Sequence, residues 1–258
     1  MLTRIITGVL LAPLVVLLFL EGPDWLKASV VILAAGLCLS ELYAMALPDH
    51  ALERWVGIVL GVATLVVLWR APPVHPFGLV LAFMAIPALL VVLRPTPIDR
   101  AAFRLFALWA GGLYVVMPMF AAVALALAPH PWMLYGAAAV WLGDTSAYFA
   151  GKAFGRHKLH PKVSPNKTWE GAIGGLVGSA LGGWLLAVIL KLPIETAPAL
   201  AFAGIGGAIG QVGDLAESLV KRACGVKDSG ALLPGHGGLL DRIDGLIFAL
   251  PFFAIVLY

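Results

Sequence analysis

GAIGGLVGSALGGWLLAVIL, residues 171–190, runs for twenty residues without a charge. A helix needs roughly 20 apolar residues to cross a hydrocarbon core about 30 Å thick. The stretch therefore predicts a membrane span. Its glycines at 174, 178 and 182 recur every fourth residue, as do Gly206 and Gly210 further on. In a bilayer this small-xxx-small spacing lets helix backbones approach closely, so packing is the expected use of these positions.

Eight further stretches read the same way: Ile5–Leu20, Trp25–Leu47, Trp55–Trp69, Phe77–Leu93, Leu105–Ala128, Met133–Ala153, Ala197–Gly213 and Leu246–Leu257. The whole chain is 61% hydrophobic and 12% charged, with a mean hydropathy of +0.98. A soluble domain is usually about 45–50% apolar and about 25% charged. A large soluble helical protein would also need charged outer faces on its helices, and these segments lack them. The first segment, Arg4 followed by an apolar run, resembles a signal peptide. It has no clear small-x-small cleavage site and more spans follow, so it reads as a retained helix. The expected fold is all-α: a polytopic integral membrane protein with about nine transmembrane helices.

Charge sets the expected orientation. With the N-terminus in the cytoplasm, fourteen of the 17 Lys and Arg residues fall on inside segments and three, Lys27, Arg70 and Lys191, fall outside. That asymmetry follows the positive-inside rule and predicts a cytoplasmic N-terminus and an outside C-terminus. The net charge of +3 then fits loops lying against anionic lipid and calls for no nucleic acid partner. Cys38 falls in a span and Cys224 in a reducing cytoplasmic loop, so no disulfide is expected.

The chain divides by chemistry. Residues 1–140 are spans joined by short, Pro-rich loops. Residues 141–258 carry two long polar segments on the same expected side: GDTSAYFAGKAFGRHKLHPKVSPNKTWEG, from Gly143, and the stretch from Gly213 to Gly245 that contains SLVKRACGVKDSGALLPGHGGLLDRIDG. The first part reads as scaffold, with dimer and lipid contacts, and the second as the catalytic region. No internal repeat supports an inverted-repeat transporter.

Acids in these segments sit near predicted span ends. One such acid alone reads as an interfacial charge whose stem lies in lipid and whose head reaches water, and Glu41 keeps that reading. The others cluster. Asp214, Glu217, Ser218 and Lys221 are spaced i, i+3, i+4, i+7 and share one stripe if the helix continues. Asp241 and Asp244 open the last span, where a helix N-terminus favours negative charge. Asp144 sits inside an earlier one, toward its cytoplasmic end. Carboxylates without soft ligands suit a hard cation such as Mg²⁺, held by one or two acids plus substrate phosphates. His236 stands alone between glycines, which argues against zinc. Lys221, Arg222, Lys227 and Arg242, with Lys167 in the other segment, suit phosphate. Basic cytoplasmic loops have a topological explanation too, but Gly230, Gly235, Gly237 and Gly238 add a loop whose backbone could approach phosphate. Thr168 is placed to cap the helix entering at Glu170. No Walker loop or G-x-S-x-G elbow is present. The combination points to a metal-dependent reaction of a polyphosphate with a lipid headgroup.

Ser218-x-x-Lys221-Arg222, four residues, Lys227-Asp228-x-Gly230, then Pro234-x-His236-Gly237-Gly238-x-x-Asp241-Arg242-x-Asp244 resembles the signature of phosphatidate cytidylyltransferases. Asp144-x-Ser146-Ala147-Tyr148, SPNKTWEG and GDLAES are similar to that family as well. The motif-bearing likeness covers roughly residues 141–245. It implies transfer of the cytidylyl group of CTP to phosphatidic acid, giving CDP-diacylglycerol and pyrophosphate, in phospholipid biosynthesis. It implies Asp214 and Asp241 as metal ligands, with Asp144 and Asp244 supplementing them and a second cation allowed. Lys221, Arg222, Lys227 and Arg242 would take phosphates, with Ser164, Lys167 and Ser218 assisting. His236 is open between phosphate contact and loop shape. A multi-pass protein of the inner membrane, with its active site facing the cytoplasm, and a homodimer are further implications. Two alternatives stay on the page: a CTP-dependent polyprenol-type lipid kinase, which would release CDP, and a transporter.

Overall fold

The computed structural model describes residues 13–70, 76–232 and 237–257. Arg4 and the start of the first expected span lie outside the described residues, as does most of the APPVHPF loop. Helix α1 is described over 13–21. It is followed by α2 (Asp24–Ala46), α3 (Ala51–Arg70), α4 (Pro76–Leu93) and α5 (Ile98–Gly111). A π turn, Gly112–Val116, runs without a break into α6 (Met117–Leu127). Then come α7 (Trp132–Phe154), two short strands β1 (Lys158–His160) and β2 (Ser164–Thr168), α8 (Trp169–Ile189), α9 (Thr196–Ala223) and α10 (Leu240–Leu257). Five helical segments among the described residues are long and apolar enough to cross a membrane: Asp24–Ala46, Ala51–Arg70, Ile98–Leu127, Trp169–Ile189 and Thr196–Ala223. The chain is an all-α membrane protein, with one departure from the expectation. The polar segment after α7 folds into an antiparallel hairpin, pairing Lys158 with Thr168 and His160 with Ser164 across an irregularity.

Residues 171–190 fold as expected. The α8 helix begins at Trp169 because Thr168 caps it: the Gly171 N–H donates to Thr168 Oγ1 at 3.1 Å. The glycine stripe is the seam with α7. A side chain at Gly174 would strike Ala150, one at Gly178 would strike Ser146, and one at Gly182 would lie 2.8 Å from Leu142 Cβ. Ile173, Val177, Leu181 and Leu185 stand exposed on another face. Small residues inside and large apolar ones outside suit a helix whose outer solvent is lipid. Gly206 and Gly210 are used likewise. A Cβ at Gly206 would lie 2.6 Å from Phe253 Cε1 of α10, and one at Gly210 would lie 3.2 Å from the Gly245 carbonyl. Both glycine faces are thus occupied within the chain, as the packing expectation has it.

Helices α7 to α10 form one bundle, and α10 also packs on α6 and α2, which joins the two parts of the chain. Polar ties fix the packing. Tyr135 Oη of α7 donates to the Ala199 carbonyl of α9 at 2.5 Å, and Tyr43 Oη of α2 donates to the Leu108 carbonyl of α5 at 3.0 Å. Arg104, only 2% exposed, lies 3.6 Å from Glu53 and donates to the Thr96 and Arg94 carbonyls. It therefore clamps the turn between α4 and α5.

The length of α9 positions the chemistry. At 28 residues it is roughly 42 Å long at 1.5 Å per residue, against a hydrocarbon core of about 30 Å. The expected span ended at Gly213; the helix continues to Ala223. Its last turns carry Asp214, Glu217, Ser218 and Lys221 beyond the apolar section on one continuous rod.

Candidate active site

A cavity of about 1320 Å³ opens where α7, α9 and α10 meet the hairpin. One part of its wall is charged, with Asp144, Lys167, Asp214, Lys221, Asp241 and Asp244. The other part is apolar, with Phe19, Val31, Met119, Met133 and Leu250 among its residues. Seven of the expected site residues thus share one wall, these six and Arg242. The elements explain how. Asp144 lies on α7, Lys167 on β2, Asp214 and Lys221 on the extension of α9, and the remaining three on the first turns of α10.

The cations are held in place by the acids. Lys167 Nζ lies 2.6 Å from Asp214 Oδ2, which ties the hairpin to α9. Lys221 Nζ lies 2.6 Å from Asp241 Oδ1 and also contacts Glu217, one turn back on its own helix. An ammonium has three donors, so each lysine keeps at least one for another acceptor. The second oxygen of Asp241, Oδ2, accepts the N–H groups of Ser229 and Gly238, each at 2.9 Å. Asp144, Asp214 and Asp244 lie close enough to feel one another's charge.

Oxygen donors of the kind that line this wall are those a hard cation takes. Every acid on the wall offers oxygen, and neither cysteine lines the cavity. Glu217 is 1% exposed, and among the described residues its Oε1 has no hydrogen-bond partner; the Oη of Tyr114, on the π turn, is also buried without one among them. Among the described residues no three His, Cys, Asp or Glu side chains are drawn together tightly enough to cage a metal by themselves.

Other expected site residues stand elsewhere. Ser164 pairs with His160 across the hairpin. Ser218 is half-buried on α9, and Lys227 is exposed; neither lines the cavity. Arg222 Nη1 donates to the Val226 carbonyl at 3.3 Å, which closes the end of α9. His236, together with Pro234 and Gly235, lies outside the described residues.

Glu41 departs from its expectation. It is buried, not interfacial, and its carboxylate accepts from Ser229 Oγ at 3.1 Å and from the N–H groups of Leu239 and Leu240 at 2.8 Å each. The loop glycines make room for it. A Cβ at Gly230 would lie 2.9 Å from Glu41 Oε1, and one at Gly238 would lie 2.5 Å from Oε2. Gly237 has a left-handed backbone, at φ +81°. The sequence signal that could have found Glu41 is its chemistry: a carboxylate inside a span is costly unless it meets donors.

Fold and site together define a polytopic membrane protein that gathers carboxylates and amines at the mouth of an apolar cavity. The chain belongs to the cytidylyltransferase family, whose model matches residues 2–258. It is 34% identical to a phosphatidate cytidylyltransferase of Bacillus subtilis (strain 168) over a 268-residue alignment, covering 98% of this chain and 96% of that protein. The phosphatidate cytidylyltransferase of Brucella abortus is 54% identical over 113 residues, 43% of this chain and 41% of the relative. That of Haemophilus influenzae is 47% identical over 128 residues, 47% of this chain and 44% of the relative. The last two alignments thus span less than half of the relatives' own length.

Proposed function

We propose that the protein transfers the cytidylyl group of CTP to phosphatidic acid at the cytoplasmic face of the inner membrane. The observation that carries this reading is a cavity with one charged and one apolar wall. At about 1320 Å³ it exceeds the roughly 300–1,000 Å³ of an ordinary ligand pocket, which leaves space for a nucleotide and a lipid headgroup together. Hydrocarbon would lie along Phe19, Met133 and Leu250, and both sets of phosphates against the charged wall.

The reaction asks little of the side chains as bases. A phosphate monoester has its second pKa near 6, by analogy with phosphoserine, so the lipid oxygen is already anionic near neutral pH. That oxygen bonds to the α-phosphorus of CTP, the α–β bridging bond breaks, and pyrophosphate leaves. What remains is repulsion between two polyanions. Lys167 and Lys221 answer it: each is fixed by carboxylates before substrate arrives, and each has a donor left. Preplaced charge stabilises a transferring phosphoryl group without reorganisation. Bound Mg²⁺ would supply further neutralisation of the phosphate oxygens, held by Asp214 with Asp144 or Asp244. Asp241 would contribute through the remaining lone pair of Oδ1 while orienting Lys221. The cytoplasmic orientation rests on the positive-inside asymmetry.

Purified protein given phosphatidic acid, Mg²⁺ and labelled CTP is expected to place label in lipid and to release one pyrophosphate per label. Release of CDP would favour the lipid kinase instead. A folded preparation that labels no lipid overturns the reading.

A further inference from the structure

Glu41 lies on α2, in the scaffold part of the chain, yet all three of its hydrogen-bond donors belong to the loop and first turn that end in Asp241. We propose that Glu41 is a positioning residue: it fixes the register of the loop and of the first turn of α10, and thereby where Asp241, Arg242 and Asp244 stand in the cavity wall.

The geometry makes this a two-sided grip. Ser229 is held twice, its Oγ by Glu41 and its N–H by Asp241. At the other end of the loop, Asp241 holds the N–H of Gly238 while Glu41 holds those of Leu239 and Leu240. The first N–H groups of a helix have no partner within it, so without Glu41 those of α10 would need another acceptor in a buried place. Two carboxylates from helices some 200 residues apart therefore close one loop between them. Glu41 also fills the space that Gly230 and Gly238 leave open, so the loop cannot slide toward α2 while it is there. Glu41 is absent from the cavity wall, and its effect on catalysis is exerted through Asp241.

The activity readout rests on the function proposed above; the structural readout does not. The test uses the full chain in detergent, as wild type, Glu41→Gln and Glu41→Ala. Amide hydrogen exchange is followed without substrate or metal, beside steady-state kinetics with CTP, phosphatidic acid and Mg²⁺. In Glu41→Ala, exchange at Leu239 and Leu240 is expected to rise at least about tenfold while α8 is unchanged, and kcat to fall at least about tenfold. Glu41→Gln keeps one acceptor oxygen but turns an amide donor toward the loop, so it should fall between the two. Unchanged exchange at 239–240 overturns the proposal. So does exchange that rises equally throughout the chain, or a kcat within about twofold of wild type in Glu41→Ala. Should Glu41→Ala fail to fold, the same criteria apply to Glu41→Gln. If wild type makes no labelled lipid, the functional reading fails and the exchange pattern alone decides the role of Glu41.

Discussion

Lys167 reaches from the hairpin to place its Nζ 2.6 Å from the Asp214 carboxylate of α9. Both side chains are partly exposed, 26% and 32%, so the pair adds little to stability. Exposed pairs contribute roughly 0–1 kcal/mol. Its consequence is positional: it fixes an amine on the cavity wall and joins two elements that the sequence separates by 47 residues. Lys167→Met is therefore expected to shift the thermal midpoint only slightly and to lower lipid labelling at least tenfold. Equal losses in stability and activity would contradict this.

Lys221 is the opposite case. It contacts both Glu217, 1% exposed, and Asp241. Removing one partner of a buried pair typically costs about 3–5 kcal/mol, because the other charge is left without compensation. Lys221→Met should thus destabilise the folded protein as well as inactivate it. Adding Glu217→Gln should recover part of the thermal stability and none of the activity, as read by detergent-solubilised melting and lipid labelling.

The loop glycines make a third test. A methyl group at Gly238 would press on Ser229 Oγ and stand 2.5 Å from Glu41 Oε2. At Gly237 the obstacle is the backbone: a side chain at φ +81° costs on the order of 1–3 kcal/mol. Gly238→Ala should raise amide exchange at 239–240 as loss of Glu41 does. Gly225→Ala, also at positive φ but with open space around it, should leave that exchange unchanged.

The proposed Mg²⁺ on Asp214 makes a fourth test. Chelation with EDTA is expected to abolish lipid labelling, and Mg²⁺ to restore it. Asp214→Asn should raise the Mg²⁺ concentration for half-maximal activity about tenfold or more. An unshifted Mg²⁺ requirement in a folded Asp214→Asn protein would remove Asp214 from the ligand set.

Hydropathy carried most of the fold, because a span must be apolar along its whole length and the signal accumulates over some twenty residues. Residues 171–190 show this, and their glycine interval even marked the seam with α7. Shorter or tertiary features left no such trace. The strands Lys158–His160 and Ser164–Thr168 are three and five residues long, too short for a period to register, and the second contains Pro165. The π turn at Gly112–Val116 lies inside an unbroken apolar run, where one extra residue per turn does not change composition. In the site, spacing along α9 and α10 brought out Asp214, Lys221, Asp241 and Asp244, since helical geometry fixes which positions share a side. In the sequence Glu41 looks like an interfacial charge, because its donors lie 188 to 199 residues away. The same distance hid why Gly230 and Gly238 are glycines: they accommodate a carboxylate, where the sequence argued for an approach to phosphate.

The α7–α8 seam also determines how this protein can vary. On α8, positions 173, 177, 181 and 185 are exposed and 174, 178 and 182 lie under α7. Saturation mutagenesis along that helix should therefore return a four-residue beat, with free exchange among bulky apolar residues on one side and near-total intolerance one position later. Drift in sequence is channelled to the outer face, and the inner face acts as the fixed rail along which the rest of the bundle is aligned.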